Sequence, residues 1–249
     1  MKEKLYTIPV TEAFECDSEC PLCMLHQKLE DDILGYVLGA SYMEEDVREE
    51  TDKHGFCKYH YTKMYEAKNR LGVALMASSH LKKINRDMEK LLPKLIESES
   101  ENASRGFSFG KKATKPQTSE AEKYIEDIRT SCYACDRMQG RMDSYIDTFF
   151  HLWKTEKDFK NMVSKSKGTC LEHFELLISE GKKRLKPEDY REMITMLVPL
   201  QIENFKRLDD ELDWFIQKFD YRFKDEPWKD SKDSLIRSIL KISATKVGD

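Results

Sequence analysis

Cysteine and histidine residues occur twice in the same order and at nearly the same spacing. The first set is Cys20-Pro21-Leu22-Cys23, and 34 residues after its last cysteine comes Cys57-Lys58-Tyr59-His60. The second set is Cys132-Tyr133-Ala134-Cys135, and 35 residues after its last cysteine comes Cys170-Leu171-Glu172-His173. Each half of the chain therefore offers three sulfurs and one imidazole nitrogen, which is the donor set of a Cys₃His metal site.

The spacing within each pair suits metal ligation, because residues three apart share one face of a helical turn. Gly55 and Gly168 stand two positions before Cys57 and Cys170 and are predicted to break the chain there. Four protein ligands fill a tetrahedral shell and leave no position for substrate, which favours two structural sites with zinc preferred to iron. The predicted ligands are Cys20, Cys23, Cys57, His60, Cys132, Cys135, Cys170 and His173.

The sequence leaves open how the four pairs combine. We expect each half to close its own site, because the segment between its two pairs has the length of a helix and a return. In the alternative, the pairs exchange partners: Cys20 and Cys23 with Cys170 and His173, and Cys132 and Cys135 with Cys57 and His60. Two further interpretations of the same residues are redox-active dithiols and plain buried cysteines. Two sites of three cysteines each leave Cys16 over.

Composition favours long helices with wide solvated faces. Hydrophobic residues make up 39% and charged residues 35% of 249 residues, and Gly and Pro number only 10 and 7. The net charge of -4 gives no global attraction to nucleic acid or anionic lipid. No stretch reaches the roughly 20 apolar residues of a membrane span. Met1–Val10 carries no apolar leader, and seven cysteines without a secretory context predict a cytoplasmic protein without a membrane partner.

We predict an all-α fold, a helical bundle of two pseudo-repeated halves with one metal site each. Met1 to Phe14 is expected to be extended, and a long helix is expected from about Cys57 to Glu97. Ser119 and Glu122 form the capping box of a later helix. The predicted domains are an N-terminal repeat, a flexible linker rich in Ser, Gly and Lys, and a C-terminal repeat, with bounds 1–97, 98–118 and 119–249.

Several motifs together resemble one family. They include Lys4-Leu5-Tyr6-Thr7-Ile8-Pro9-Val10, Glu19-Cys20-Pro21-Leu22-Cys23, Gly55-Phe56-Cys57-x-x-His60, Gly168-x-Cys170-Leu171-x-His173-Phe174, Lys218-Phe219-Asp220-Tyr221-Arg222 and Pro227-Trp228. The chain is similar to an uncharacterised family of anaerobic Gram-positive (Firmicutes) bacteria, domain of unknown function 6062. The resemblance covers nearly the whole chain, with the linker as its variable part, and implies no activity.

The function predicted from these features is that of a non-enzymatic, zinc-stapled helical protein that binds another protein or a second copy of itself. The sequence contains no Gly-rich phosphate loop, no Ser/His/Asp order and no His-Glu-x-x-His motif. One alternative is a thiol redox sensor or oxidoreductase that uses the Cys-x-x-Cys pairs. A second alternative, disfavoured by the acidic charge balance, is nucleic-acid binding through the metal sites and the Phe107 to Lys112 segment.

Overall fold

The computed structural model describes residues 2–105 and 118–247, with side chains over 6–97 and 118–247. The regular secondary structure of these described residues is helical, so the predicted all-α class is confirmed. They are α1 (Lys2–Glu15), α2 (Pro21–Leu38), α3 (Glu45–His54), α4 (Lys58–Glu66), α5 (Arg70–Arg105), α6 (Glu120–Thr130), α7 (Tyr133–Thr155), α8 (Lys157–Lys165), α9 (Leu171–Arg184), α10 (Pro187–Gln217) and α11 (Ser234–Ser243). Within the described ranges, no helix is both long and apolar enough to cross a bilayer.

The chain folds into two compact units. The first unit comprises Met1–Leu29 and Gly140–Asp249, and the second unit comprises Glu30–Gln139. The second unit is therefore an insertion in the first along the sequence, and α2 and α7 each contribute residues to both. This division cuts across the predicted segments 1–97 and 119–249. An internal repeat of the two halves stays a prediction.

The core of the first unit is built on aromatic residues of α7. Phe149, Phe150 and Trp153 are at most 1% exposed, and the Phe14 and Phe159 rings lie 5.5 Å from that of Phe149. Residues of α2 and α9 complete the same cluster: Leu22, Leu25, Leu29 and Leu177. Burial of these leucines places the first half of α2 and the first half of α9 in one hydrophobic cluster.

The second unit has its own core, which is formed by the later turns of α2 and by α4, α5 and α7. Its buried members include Ile33, Val37, Met64, Met76, Tyr133 and Ala134. Phe56, which precedes α4, packs its ring 5.9 Å from that of Tyr133 at the start of α7. The beginnings of α4 and α7 therefore share one hydrophobic cluster.

Two predicted elements differ from the structure. The segment predicted to be extended up to Phe14 forms α1, which buries Val10, Ala13 and Phe14 at helical spacing. The single long helix expected from Cys57 is instead α4 and α5. The chain breaks between them because Lys68 adopts a positive φ of 67° and the Asn69 side chain accepts a hydrogen bond from the Gly72 amide.

The predicted linker is partly helical. Helix α5 continues to Arg105, eight residues beyond Glu97. Residues 106–117, which include the Phe107 to Lys112 segment, lie outside the described residues. On the far side of that segment, the capping box of Ser119 and Glu122 is confirmed at the start of α6.

Candidate metal centres

All four ligand pairs lie at helix N-termini. Cys57 and Cys170 are the N-cap residues of α4 and α9, while Cys20 and Cys132 directly precede α2 and α7. The second ligand of each pair follows in the first helical turn. The first backbone N–H groups of a helix have no partner within the helix, and the helix dipole favours negative charge at these ends. Each helix start is therefore suited to hold a thiolate.

Two glycines shape the turns that lead into the Cys-x-x-His pairs. Gly55 and Gly168 have positive φ values of 59° and 73°, a conformation that costs other residues steric strain. A Cβ at Gly168 would lie 2.7 Å from Oε1 of Gln201. The side-chain amide of Gln201 is hydrogen-bonded to the same turn: Oε1 accepts from the Thr169 amide at 3.1 Å, and Nε2 donates to the Thr169 carbonyl at 2.7 Å.

We expect Gly168→Ala to destabilise the first unit. The left-handed backbone alone costs a residue with a Cβ about 1–2 kcal/mol, and the displaced Gln201 amide would add to this. The matched control is Gly140→Ala in α7, where a Cβ meets no atom within 4 Å and the helix should gain up to about 1 kcal/mol. Chemical denaturation of both variants checks the prediction, and equal stability of the two would contradict it.

The first metal cluster consists of Cys20, Cys23, Cys170 and His173. Nδ1 of His173 lies 3.4, 3.3 and 3.1 Å from the sulfurs of Cys20, Cys23 and Cys170, respectively. The sulfurs of Cys23 and Cys170 are 3.5 Å apart. Amides of Cys23 and His173 donate to the sulfurs of Cys20 and Cys170 at 3.4 and 3.5 Å. All four donor atoms thus surround one point.

The second metal cluster consists of Cys57, His60, Cys132 and Cys135. Nδ1 of His60 lies 3.3 Å from the sulfur of Cys57, 3.3 Å from that of Cys132 and 3.5 Å from that of Cys135. The sulfurs of Cys57 and Cys135 are 3.9 Å apart. The two clusters therefore have the same composition, the same motif pairing and the same metal-facing imidazole nitrogen.

These distances fit a tetrahedral cation site. Bonds of about 2.3 Å to sulfur and 2.0 Å to nitrogen place ligand atoms about 3.5–3.8 Å apart along the edges of a tetrahedron. The eight separations given above extend from 3.1 to 3.9 Å, and all donor atoms of a cluster lie within 4.8 Å of one another. They are far longer than a disulfide bond of about 2.05 Å, and all seven cysteines are free thiols. The donor set and its geometry both match a Cys₃His metal site.

The expected closure of a site within each half is wrong, and the alternative pairing is the one observed. Each cluster combines the Cys-x-x-Cys pair of one half with the Cys-x-x-His pair of the other. Core packing explains this pairing. Leu22, between Cys20 and Cys23, belongs to the same hydrophobic cluster as Leu177 of α9, the helix that carries His173. Tyr133, next to Cys132, belongs to the same cluster as Phe56, which precedes Cys57. Distance along the chain does not decide the pairing.

The thiols of a cluster cannot all ionise at this spacing without a cation. Hydrogen bonds shared with Cys170 and Cys20 raise the pKa of Cys23. In the second cluster, burial and the hydrogen bond with Cys132 raise the pKa of Cys135. Burial opposes ionisation of Cys132 as well, but the hydrogen bond with His60 outweighs it and lowers the Cys132 pKa to about 6. A divalent ion would supply the missing positive charge.

A buried carboxylate supports the second cluster. Oε1 of Glu30, a residue of α2 with 2% exposure, lies 3.3 Å from Nε2 of His60. Lys63 pairs with the other carboxylate oxygen. Burial disfavours the charge, but the contacts with His60 and Lys63 prevail and lower the pKa of Glu30 to about 2. Carboxylates in this position orient a ligating imidazole and increase its basicity.

We expect Glu30→Gln to weaken metal binding at the second cluster by about 10- to 100-fold, the usual effect of losing such a partner. Competition with a chromophoric chelator measures the affinity. The first cluster, whose ligands do not contact Glu30, provides the control within the same molecule. Equal weakening at both clusters, or at neither, would contradict this role for Glu30.

A buried ionic network holds the two segments that precede Cys20 and Cys170 of the first cluster. The ammonium of Lys241 on α11, 1% exposed, donates to the backbone carbonyls of Glu19 and Lys167 at 2.7 and 2.5 Å. It thereby joins the residues just before Cys20 to the turn before Cys170. The Glu19 carboxylate accepts hydrogen bonds from Arg207 at 2.6 Å and Arg237 at 3.2 Å. Helices α10 and α11 thus fix the position of the first ligand pair.

The chain belongs to a protein family described as a family of unknown function (DUF6062), whose model matches residues 1–249. No curated protein and no solved structure matches the chain. The eight predicted ligands are all brought together, in two groups of four. The remaining cysteine, Cys16, is exposed and belongs to neither group.

Proposed function

We propose that this chain is a zinc protein in which both clusters bind a structural Zn²⁺ ion, and that it acts as a non-enzymatic interaction module. The observation that carries the proposal is the convergence of three sulfurs and one Nδ1 atom, twice, at tetrahedral spacing. Zinc suits this mixed sulfur and nitrogen set better than harder cations do, and four protein ligands leave no open coordination position for substrate. Thiolate ligands also suit the cytoplasmic location predicted from the sequence.

Metal analysis of the purified chain tests the zinc assignment. We expect two zinc ions per chain by plasma mass spectrometry after extensive dialysis, with iron below a tenth of that amount. X-ray absorption at the zinc edge should show about three sulfur neighbours and one nitrogen neighbour per ion. Protein that is folded but binds no zinc would contradict the proposal, as would an iron content near two per chain.

The interaction role rests on apolar side chains that α10 leaves exposed in the first unit. Val198, Ile202, Ile216 and Phe219 follow one side of this helix and its end, and their exposed fractions range from 37% to 76%. Isolated apolar residues are common on surfaces, but these four form an apolar stripe along a 31-residue helix, interrupted by the exposed Asp209, and such stripes are used in helix pairing. A second copy is the partner we propose, because a two-fold axis lets one such stripe pair with itself.

Sedimentation velocity of the zinc-loaded chain tests self-association. We expect a dimer at micromolar concentration that Ile202→Glu converts to a monomer, because the new charge would be desolvated in the interface. The control is Ile125→Glu on α6, an exposed apolar position of the second unit at 41%. A wild-type chain that stays monomeric would contradict self-association and leave the zinc proposal intact.

A further inference from the structure

The two clusters have the same ligands but different exposure. In the first cluster, Cys20 and Cys170 are 0% exposed and Cys23 is half-buried. In the second cluster, Cys132 is buried, but Cys57 is half-buried and Cys135 is exposed. Solutes therefore have access to a ligand sulfur of the second cluster, whereas two sulfurs of the first are sealed.

We propose that Cys135 is an oxidation site, and that a hydroperoxide converts the second cluster into a Cys57–Cys135 disulfide with release of its metal. This inference rests on the proposed zinc binding. The exposed sulfur of Cys135 is held as a thiolate by the metal, and thiolates are the nucleophilic form of cysteine. The sulfur of the half-buried Cys57 lies 3.9 Å away, and an approach of only about 2 Å would form the bond.

The reaction balances in two steps. First, the Cys135 thiolate attacks one peroxide oxygen, the O–O bond breaks, and a sulfenic acid forms while the leaving alkoxide or hydroxide takes a proton from solvent. Second, the Cys57 thiolate attacks the sulfur of Cys135. The S–S bond forms, the S–O bond breaks, and the leaving hydroxide takes a second proton. Two thiolates thus lose two electrons to the peroxide.

The disulfide would leave Cys132 and His60 as the only two ligands of the second cluster. Two ligands are too few to hold a structural zinc ion, so the ion leaves. Helices α4 and α7 both begin at this cluster, so the disulfide would join their first turns in place of the metal ion. The first cluster would keep its ion, and a thiol reductant with zinc would restore the second.

Peroxide treatment of the zinc-loaded full chain tests the proposal. A zinc-sensitive dye should record the release of one of the two zinc ions, and peptide mapping should find a Cys57–Cys135 disulfide. Cys16→Ser, which removes the other exposed thiol, should leave this release unchanged. Because substitution of Cys135 removes a ligand, alkylation of the untreated wild-type chain gives a second measurement: Cys135 and Cys16 should react before Cys20 and Cys170.

Three results would overturn the proposal: loss of both zinc ions at one rate, loss of neither, or a Cys132–Cys135 disulfide in place of the predicted one. Each of these presupposes a chain that carries two zinc ions. A purified chain without zinc would instead contradict the proposed function itself, so the two failures are distinguishable.

Discussion

Removal of both metal ions is expected to abolish the cooperative unfolding transition of the chain. Structural zinc sites bind with apparent free energies of about 10–16 kcal/mol in small peptides, while a folded domain is stable by only about 5–15 kcal/mol. Both clusters join segments that are far apart in sequence, Cys23 to Cys170 and His60 to Cys132. The metal-free chain would therefore lose the two cross-links that close the segments from Cys23 to Cys170 and from His60 to Cys132, and ordering these segments would cost more entropy.

Thermal melts followed by circular dichroism measure this effect. The chain is unfolded in guanidinium with a chelator and a thiol reductant, then refolded without metal. Two equivalents of Zn²⁺ should restore the transition, and Mg²⁺ should not, because Mg²⁺ prefers oxygen ligands. A metal-free chain that melts as sharply, and at the same temperature, as the zinc-loaded chain would contradict a structural role for the ions.

Glu19→Gln is expected to destabilise the first unit by about 3–5 kcal/mol, the typical cost of breaking a buried ion pair from one side. The Glu19 carboxylate is 2% exposed, and its oxygens face Arg207, Arg237 and Lys241 at 2.6, 3.2 and 3.7 Å. Burial already lowers the pKa of Lys241, and Glu19 is the largest influence that opposes this. Without the Glu19 carboxylate, the positive charges of Arg207, Arg237 and Lys241 would repel one another with less negative charge nearby to balance them.

Guanidinium denaturation of zinc-loaded protein measures the loss. Glu192→Gln provides the matched control, because Glu192 pairs with Lys160 at 2.7 Å on the same unit but is 50% exposed. An exposed pair of this kind contributes about 0–1 kcal/mol. If both variants lost the same small amount, the network around the first cluster would not be a major source of stability.

The identity of the ligands could be predicted from the sequence because the relevant information is local. Each Cys-x-x-Cys or Cys-x-x-His pair fits one helical turn, and Gly55 and Gly168 mark the turns before two of the helices. The break between α4 and α5 is also local, but its signal is weak: Lys68 adopts a positive φ without being a glycine. Asn69, whose side chain caps α5, was the available clue.

The pairing of the ligands and their supporting residues could not be predicted because they depend on tertiary packing. Glu30 meets His60 only after α2 and α4 have joined one core, and Glu19 meets Arg207 across 188 residues of sequence. A charged residue on the apolar side of a helix, such as Glu30 beside Leu29 and Ile33, was the one sequence signal of a buried partner.

Zinc counting in double variants is the most direct test of the two clusters. Cys23→Ala with Cys170→Ala removes two ligands of the first cluster, so we expect the chain to retain one zinc ion. Cys23→Ala with Cys57→Ala removes one ligand from each cluster, so we expect no tightly bound zinc. If each half closed its own site, the two results would be exchanged: the first double variant would bind no zinc, and the second would retain one ion.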